Sequence, residues 1–200
     1  MVIFNRGDHI LSYPITASNL AAAEQCMLRQ GPRDADGRHA AMCHIGASIR
    51  PSLSLEITPG ETQKSDALQV WLSKARIRHG VLHIWADIDF PMWGNVASLS
   101  RPVQAEWRRF TNCLDRHERG HWRSVRPILQ QYRADFDRLN VPGQGDTAQA
   151  AEDNAMEQLN TNIDELEGSM ISEIRGNIVE YDYRYDHGRR QGARLNTSIR

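Results

Sequence analysis

The sequence contains no apolar run that approaches the ~20 residues of a membrane-spanning helix. Its amino terminus also lacks the basic start, the long apolar stretch and the small-residue cleavage site of a signal peptide. From these two absences we expect no membrane span, and the chain as given shows no export signal, as is typical of a cytoplasmic protein.

An excess of charge of one sign is missing as well. The 24 Lys and Arg side chains balance 25 Asp and Glu side chains, which leaves a formal net charge of -1. Proteins whose main partner is nucleic acid usually carry a basic excess. We therefore expect no nucleic-acid partner, and 40% hydrophobic residues are typical of an ordinary globular protein.

Cysteine is scarce, and no C-x-x-C pair occurs. A zinc site built from thiolates is therefore not expected. The three cysteines are Cys26, Cys43 and Cys113. An odd number leaves two states open, which are one disulfide with a free thiol and a fully reduced set.

The first half of the chain is predicted to be mostly β with one helix. Residues 9–17 favour a short edge strand that contains Pro14. A helix follows, with Ser18 or Asn19 as its N-cap and Gly31-Pro32 as its end. Residues 39–59 and 80–93 are β-like, and residues 65–77 fit either a short helix or a strand. Within 81–90 apolar and polar residues alternate, as in a strand with one buried face.

The second half is predicted to be mostly helical. Residues 102–139 and 147–180 carry apolar positions at three- and four-residue steps. Pro127 should kink or restart the first of these helices, and residues 140–146 are predicted to be a loop that joins an antiparallel helix pair. The prediction is one α+β domain over 1–200, with 1–100 mostly β and 101–200 mostly helical.

The segment "HERGH" carries the strongest chemical signal. His117 and His121 are four residues apart and share one face of a helix, so they can present two imidazole nitrogens to one zinc ion. Glu118 lies beside that ion and is placed to take a proton from a zinc-bound water. Gly120 costs ~1 kcal/mol relative to alanine in a helix, which favours a functional role such as leaving space near the metal.

A catalytic zinc site requires a third protein ligand. The metzincin pattern would place it at position 127, but that position is Pro127, and Ser124 replaces the glycine of the pattern. The ligand must therefore come from farther along the chain. The candidates on or after the second long helix are Glu173, Glu180, Asp182, Asp186 and His187.

Three segments resemble a bacterial family described as predicted zinc-dependent proteases, the domain-of-unknown-function 922 family. They are "YPITASNLAAAEQCMLRQGP", "FPMWGN" followed by "WRRFTNCLDRHERGH", and the closing "YDYRYDHGRRQG". The resemblance implies a zincin-like fold in which the long helices carry the H-E-x-x-H site. Tyr185 departs from the family, which has threonine at that position.

The resemblance also ranks the candidate ligands, because Asp182 and His187 match the family's closing motif. It favours His187 as the third zinc ligand and Asp182 as a partner that orients a histidine, with Glu173 and Glu180 as rivals. Gly188 would let the backbone turn sharply there. Family members are usually exported and carry a cysteine that could pair with Cys43, and neither feature is visible in this chain.

Together these observations predict a zinc-dependent metallopeptidase in which Glu118 activates a zinc-bound water to hydrolyse a peptide bond. The expected partner is a protein or peptide substrate, and Tyr181, Tyr183 and Tyr185 are candidates to stabilise the transition state. Two other functions stay open. One is a zinc-binding regulatory or interaction module without catalysis, and the other is a zinc hydrolase of a non-peptide amide.

Overall fold

The computed structural model describes residues 1–35 and 37–200. Within these residues it contains six β-strands and three α-helices, which confirms the predicted α+β class. In chain order the elements are β1 (Val2–Ile15), α1 (Leu20–Gln30), β2 (Met42–Ser48), β3 (Ser54–Ile57), β4 (Gln63–Ser65), β5 (Val70–Trp93), α2 (Arg101–Arg138), β6 (Asn140–Gly145) and α3 (Ala148–Tyr185).

Strand β5 is the centre of the sheet, because each of the other five strands pairs with it. The strands β3, β4 and β6 pair with it in the antiparallel sense. The predicted alternation over 81–90 is confirmed, since Leu82, Ile84 and Ala86 are buried and Trp85 is exposed. Residues 65–77, which fitted either a short helix or a strand, contain the start of β5 at Val70 and no helix.

The predicted strand and helix at the amino terminus are both present. The strand is longer than expected, since β1 begins at Val2. Helix α1 is capped as predicted, because the Asn19 side chain accepts a hydrogen bond of 2.9 Å from the backbone N–H of Ala22. It ends at Gly31, whose N–H donates to the carbonyl of Met27.

The loop predicted over 140–146 is wrong, because this segment forms β6 and pairs with β5. Proline and glycine are depleted in strands, so local sequence favours a loop here and pairing with β5 overrides it. The glycines of this segment allow β6 to pack closely against α3. A Cβ on Gly143 would lie 2.3 Å from the backbone nitrogen of Ala155 at the start of α3.

Both long helices are present, and Pro127 does not restart the first one. Helix α2 runs through Pro127 without a break. Val125 and Leu129, two residues before and two residues after the proline, are buried, and this packing offsets the backbone hydrogen bond that proline cannot make. Among the described helices none is long and apolar enough to cross a membrane.

The chain folds into two compact units, and each draws on three stretches of sequence. Unit 1 comprises 1–6, 46–84 and 127–174, and unit 2 comprises 7–45, 85–126 and 175–200. The division leaves the predicted single domain a prediction. In unit 1 the predicted apolar face of the second long helix is confirmed where Leu159, Ile163, Met170 and Ile174 are buried.

The core of unit 2 fixes the orientation of α2. The indole rings of Trp93 and Trp107 meet edge to face, with centroids 5.1 Å apart. Phe110 and Leu114 continue the same buried face of α2 at three- and four-residue steps, and Leu20 of α1 packs in the same cluster. Because the face is fixed by this packing, the next residues on it must also point inward.

All three cysteines are free thiols in this structure. Cys26 and Cys43 are buried, and Cys113 is half-buried. Of the two states left open by the sequence, the structure therefore has the fully reduced one.

Candidate metal centre

The next inward residues of α2 are the two histidines and the glutamate of the H-E-x-x-H segment. His117, Glu118 and His121 are 1%, 3% and 2% exposed. Imidazole and carboxylate groups are seldom buried so completely without partners. Their burial excludes a solvated surface helix as the explanation of this segment.

Asp182, near the end of α3, lies opposite both histidines. Its Oδ1 is 3.0 Å from Nε2 of His117 and 3.2 Å from Nε2 of His121. The ligand atoms of the three side chains lie within 4.8 Å of one another, so they could surround one metal ion. Two imidazole nitrogens and a carboxylate oxygen form a donor set that zinc commonly takes.

The charges in this group depend on one another. Burial opposes ionisation of Asp182, but its hydrogen bonds with His117 and His121 outweigh burial and lower its pKa well below the ordinary value. Burial also opposes the charge of His117, but the bond to Asp182 and the charge of Glu118 raise its pKa. For His121 burial is the dominant effect, and its pKa is lowered.

Gln191 is a site residue that was not predicted from the sequence. Its Oε1 lies 2.9 Å from Nδ1 of His117. When Nδ1–H donates to this oxygen, Nε2 keeps a lone pair for a metal, which is how a partner on the far side of the ring fixes a ligating histidine. The signal that could have found it is the closing motif, in which Gln191 matches the resembled family.

Glu118 occupies an enclosed position beside the group. Burial raises the pKa of Glu118 to about 8, and the negative charge of Asp182 adds to this effect. Its Oε2 is 3.8 Å from Nε2 of His121. Among the described residues this oxygen has no hydrogen-bond partner, and such a buried carboxylate oxygen fits a position that faces a cation or a reacting group.

Tyr181 fills the space that Gly120 provides. A Cβ on Gly120 would lie 1.9 Å from the hydroxyl oxygen of Tyr181. The tyrosine ring packs on His117 and His121, with centroid distances of 5.3 Å and 4.8 Å. The glycine therefore makes room near the histidines, and that room is occupied by an aromatic ring.

The other two candidate tyrosines differ from Tyr181. Tyr185 packs its ring against that of Tyr181, with centroids 4.6 Å apart. Tyr183 is 84% exposed. Of the three, only Tyr181 touches the histidines among the ring contacts of the described residues.

His187 lies next to the group of His117, His121 and Asp182 but outside it. Its Nδ1 is 3.7 Å from Oδ1 of Asp182, and its ring lies over that of His39 with centroids 4.2 Å apart. The expected sharp turn is present, since Gly188 has φ of 82°. The role of His187 as a ligand of the same zinc ion stays a prediction.

The remaining candidate ligands have partners of their own. Glu180 forms an ion pair of 2.7 Å with Arg184 on the exposed side of α3. Asp186 is paired with Arg189 at 3.9 Å. In unit 1, Glu173 hydrogen-bonds the hydroxyl of Tyr132.

Fold and side chains together define a mixed α+β protein with a candidate metal centre. A bacterial protein family of unknown function, DUF922, matches residues 10–188. The match spans most of the chain, so the chain belongs to this family and that part of the resemblance is confirmed. No curated protein and no solved structure gives a significant match.

Proposed function

We propose that this protein is a zinc-dependent metallopeptidase, with His117 and His121 as metal ligands and Glu118 as general base. One observation carries the proposal. Two buried imidazole nitrogens converge at 3.0 Å and 3.2 Å on one carboxylate oxygen, directly beside a buried glutamate. A structural role does not require four ionisable groups at one point of the interior, because burying them opposes their charge.

The residues fit a zinc ion in their donor atoms. Nε2 of each histidine and Oδ1 of Asp182 would hold it, and the bond between His117 Nδ1 and Gln191 keeps one histidine in the ligating form. When bound, zinc supplies a Lewis acid and lowers the pKa of water to about 7. With the negative Asp182 and two neutral histidines, the ion and its ligands would carry one net positive charge beside the carboxylate of Glu118.

Glu118 is suited to move a proton within this site. A general base works best when its pKa is near the ambient pH, and burial raises the pKa of Glu118 to about 8. A cation beside the carboxylate favours its charged form and so lowers this pKa again. Glu118 Oε2 would accept the proton of the attacking water and then deliver it to the leaving amine.

Tyr181 is the tyrosine best suited to stabilise the transition state. Its hydroxyl oxygen accepts a hydrogen bond of 3.2 Å from Nε2 of Gln191. A phenol also donates one hydrogen bond, so this hydroxyl can still donate to an oxyanion that develops near the histidines. We do not assign this role to Tyr183 or Tyr185, whose rings make no ring contact with the histidines among the described residues.

For the third ligand we propose Asp182, and His187 is the alternative from the family motif. A residue that only orients a ligating histidine contacts the ring nitrogen that does not bind the metal. Asp182 instead lies against Nε2 of both histidines, which are the proposed ligand atoms. Zinc content after equilibration separates the two when it is measured in a His39→Ala background, because His39 and His187 could hold a zinc ion of their own. The Asp182→Asn variant should lose the ion of this site, and His187→Ala should retain it. A His187→Ala protein that loses this ion would overturn the choice.

Activity on an unfolded protein substrate tests the function. The zinc-loaded chain should cleave it, a chelator should abolish cleavage, and Glu118→Gln should lower the rate by roughly 10²–10⁴-fold with zinc still bound. Glu157→Gln is the matched control, because this glutamate is exposed on α3. Zinc binding without any cleavage would favour a regulatory or interaction module instead.

A further inference from the structure

A second group of metal-ligating side chains lies in unit 2. Asp34, His39 and His187 bring their ligand atoms within 4.8 Å of one another. Nε2 of His39 is 2.8 Å from Oδ1 of Asp34, and the rings of His39 and His187 are 4.2 Å apart. Two imidazoles and a carboxylate again form a donor set typical of zinc.

The segment that carries Asp34 and His39 is built by backbone hydrogen bonds. The sequence "RDADGRH" over 33–39 is typical of a turn, and residue 36 within it lies outside the described residues. Around it, the N–H of Asp34 donates to the carbonyl of Gly37 at 2.9 Å, and the Gly37 N–H donates back to Asp34 Oδ1 at 3.1 Å. These bonds hold the Asp34 carboxylate on the same side of the turn as His39.

Glycine fixes the position of His39 as well. A Cβ on Gly31 would lie 2.1 Å from the carbonyl oxygen of His39. The backbone of His39 therefore packs directly against the end of α1. In addition, the N–H of His39 donates to the carbonyl of Pro32 at 2.9 Å. His39 is thus held in place before any ligand binds.

His187 is held by a strained backbone. Asp186 and His187 have φ of 50° and 46°, and Gly188 continues the left-handed run. For residues with a side chain this conformation is strained, and it persists at sites where the surroundings require it. The N–H of His187 donates to the carbonyl of Asp182 at 3.0 Å, which closes the turn.

The two groups face one small space. Asp34, His39 and His187 line the same cavity, of about 20 Å³, as Glu118 and the first group. The two groups meet where Nδ1 of His187 lies 3.7 Å from Oδ1 of Asp182. The second group is more open to solvent, with side chains of Asp34 and His39 that are 37% and 14% exposed.

We propose that Asp34, His39 and His187 form a second site for a divalent transition-metal cation, represented by Zn²⁺, next to the site of His117, His121 and Asp182. This inference rests on the proposed function, because it adds a cation to the same centre. Hydrolases with two adjacent metal ions use the pair to orient a substrate and to stabilise charge on both the attacking and the leaving groups.

Zinc stoichiometry tests the proposal directly. The chain is equilibrated with Zn²⁺, freed of unbound metal by gel filtration, and analysed by elemental mass spectrometry. The wild type should bind about two ions per chain, as in two-metal sites. The Asp34→Ala and His39→Ala variants should each bind about one, with circular dichroism confirming that they are folded.

His9→Ala is the matched control for these variants. His9 forms a similar pair with Asp87, at 3.1 Å, but no second histidine completes a group there among the described residues. This variant should bind as much zinc as the wild type. Equal zinc content in the wild type and His39→Ala would overturn the second site, and so would loss of all zinc from His39→Ala.

The same measurement separates this proposal from the proposed function. His117→Ala should lose the ion of the first group. If His117→Ala loses one ion while His39→Ala loses none, the first site stands and the second is wrong. If His117→Ala retains all the zinc of the wild type, the metal assignment on which the metallopeptidase rests is wrong.

Discussion

The group of His117, His121 and Asp182 and the group of Asp34, His39 and His187 contain similar side chains on different supports. The first is carried by two long helices, and its histidines are almost fully buried. The second is carried by turns and is open to solvent at Asp34. Helices hold side chains more precisely than loops do, so we expect tighter metal binding in the first group and easier exchange in the second.

Of the variants that distinguish the two groups, Gln191→Ala should have the largest effect on zinc affinity. Removing a hydrogen-bond partner of a ligating histidine lowers metal affinity by roughly 10–100-fold. Because the side-chain hydrogen bonds of Gln191 among the described residues go to His117 and Tyr181, only the first group should weaken. Competition with a zinc-binding dye measures both affinities.

Two variants control this prediction. Gln191→Glu keeps an acceptor oxygen and should restore the affinity. Arg190→Ala changes the neighbouring side chain, which donates to the carbonyl of Arg184, and should have no effect. If Gln191→Ala weakened both groups equally, they could not be treated as separate sites.

The difference in support also explains which group could be predicted from sequence. His117 and His121 follow the helical period that Phe110 and Leu114 establish, so their common face was predictable. Asp34 and His39 lie in a turn, where no period relates one side chain to the next. Their proximity depends on Gly31 and on backbone hydrogen bonds, which become visible only in three dimensions.

The prediction of the fold from sequence has the same limit. The prediction was correct where side chains have a clear period, as in α3 and in residues 81–90 of β5. It was wrong at 140–146, because the strand there is defined by its pairing with β5 and its local composition is that of a loop. Asp182 illustrates both cases. Its presence near the histidines was predicted, but its contact with their Nε2 atoms was not.

A smaller effect is expected from Gly120→Ala, which tests how tightly the first group is packed. Alanine in a helix is favoured by about 1 kcal/mol over glycine, but its Cβ would overlap the Tyr181 hydroxyl. Overpacking typically costs about 1–3 kcal/mol. We therefore expect a net destabilisation of about 1 kcal/mol in urea unfolding, together with weaker zinc binding by the first group.

Gly176→Ala provides the matched control on α3. A Cβ at Gly176 meets no atom within 4 Å, so only the helical preference acts. We expect this variant to be more stable than the wild type by about 0.5–1 kcal/mol. A Gly120→Ala protein as stable as Gly176→Ala would mean that Tyr181 can move aside, and the first group would then be no more rigid than the second.

The smallest effect concerns Glu106, which anchors the chain segment after both groups. Its Oε1 accepts a hydrogen bond of 2.7 Å from the N–H of Asn196, and its carboxylate pairs with Arg109. The hydrogen bond from Arg109 lowers the pKa of Glu106 below its ordinary value of 4.5. Replacement by Gln should cost about 1 kcal/mol of unfolding free energy at neutral pH, the net value of such a bond.

The pH dependence of this effect has a defined sign. Because the pKa of Glu106 is lower in the folded state, its contribution is complete above pH 4.5 and is lost as the pH falls through the lowered value. The stability difference between the wild type and Glu106→Gln should therefore shrink on acidification. Glu157→Gln, at an exposed position of α3, should show no difference at any pH. A difference that grew on acidification would mean that Glu106 does not anchor the segment as a carboxylate.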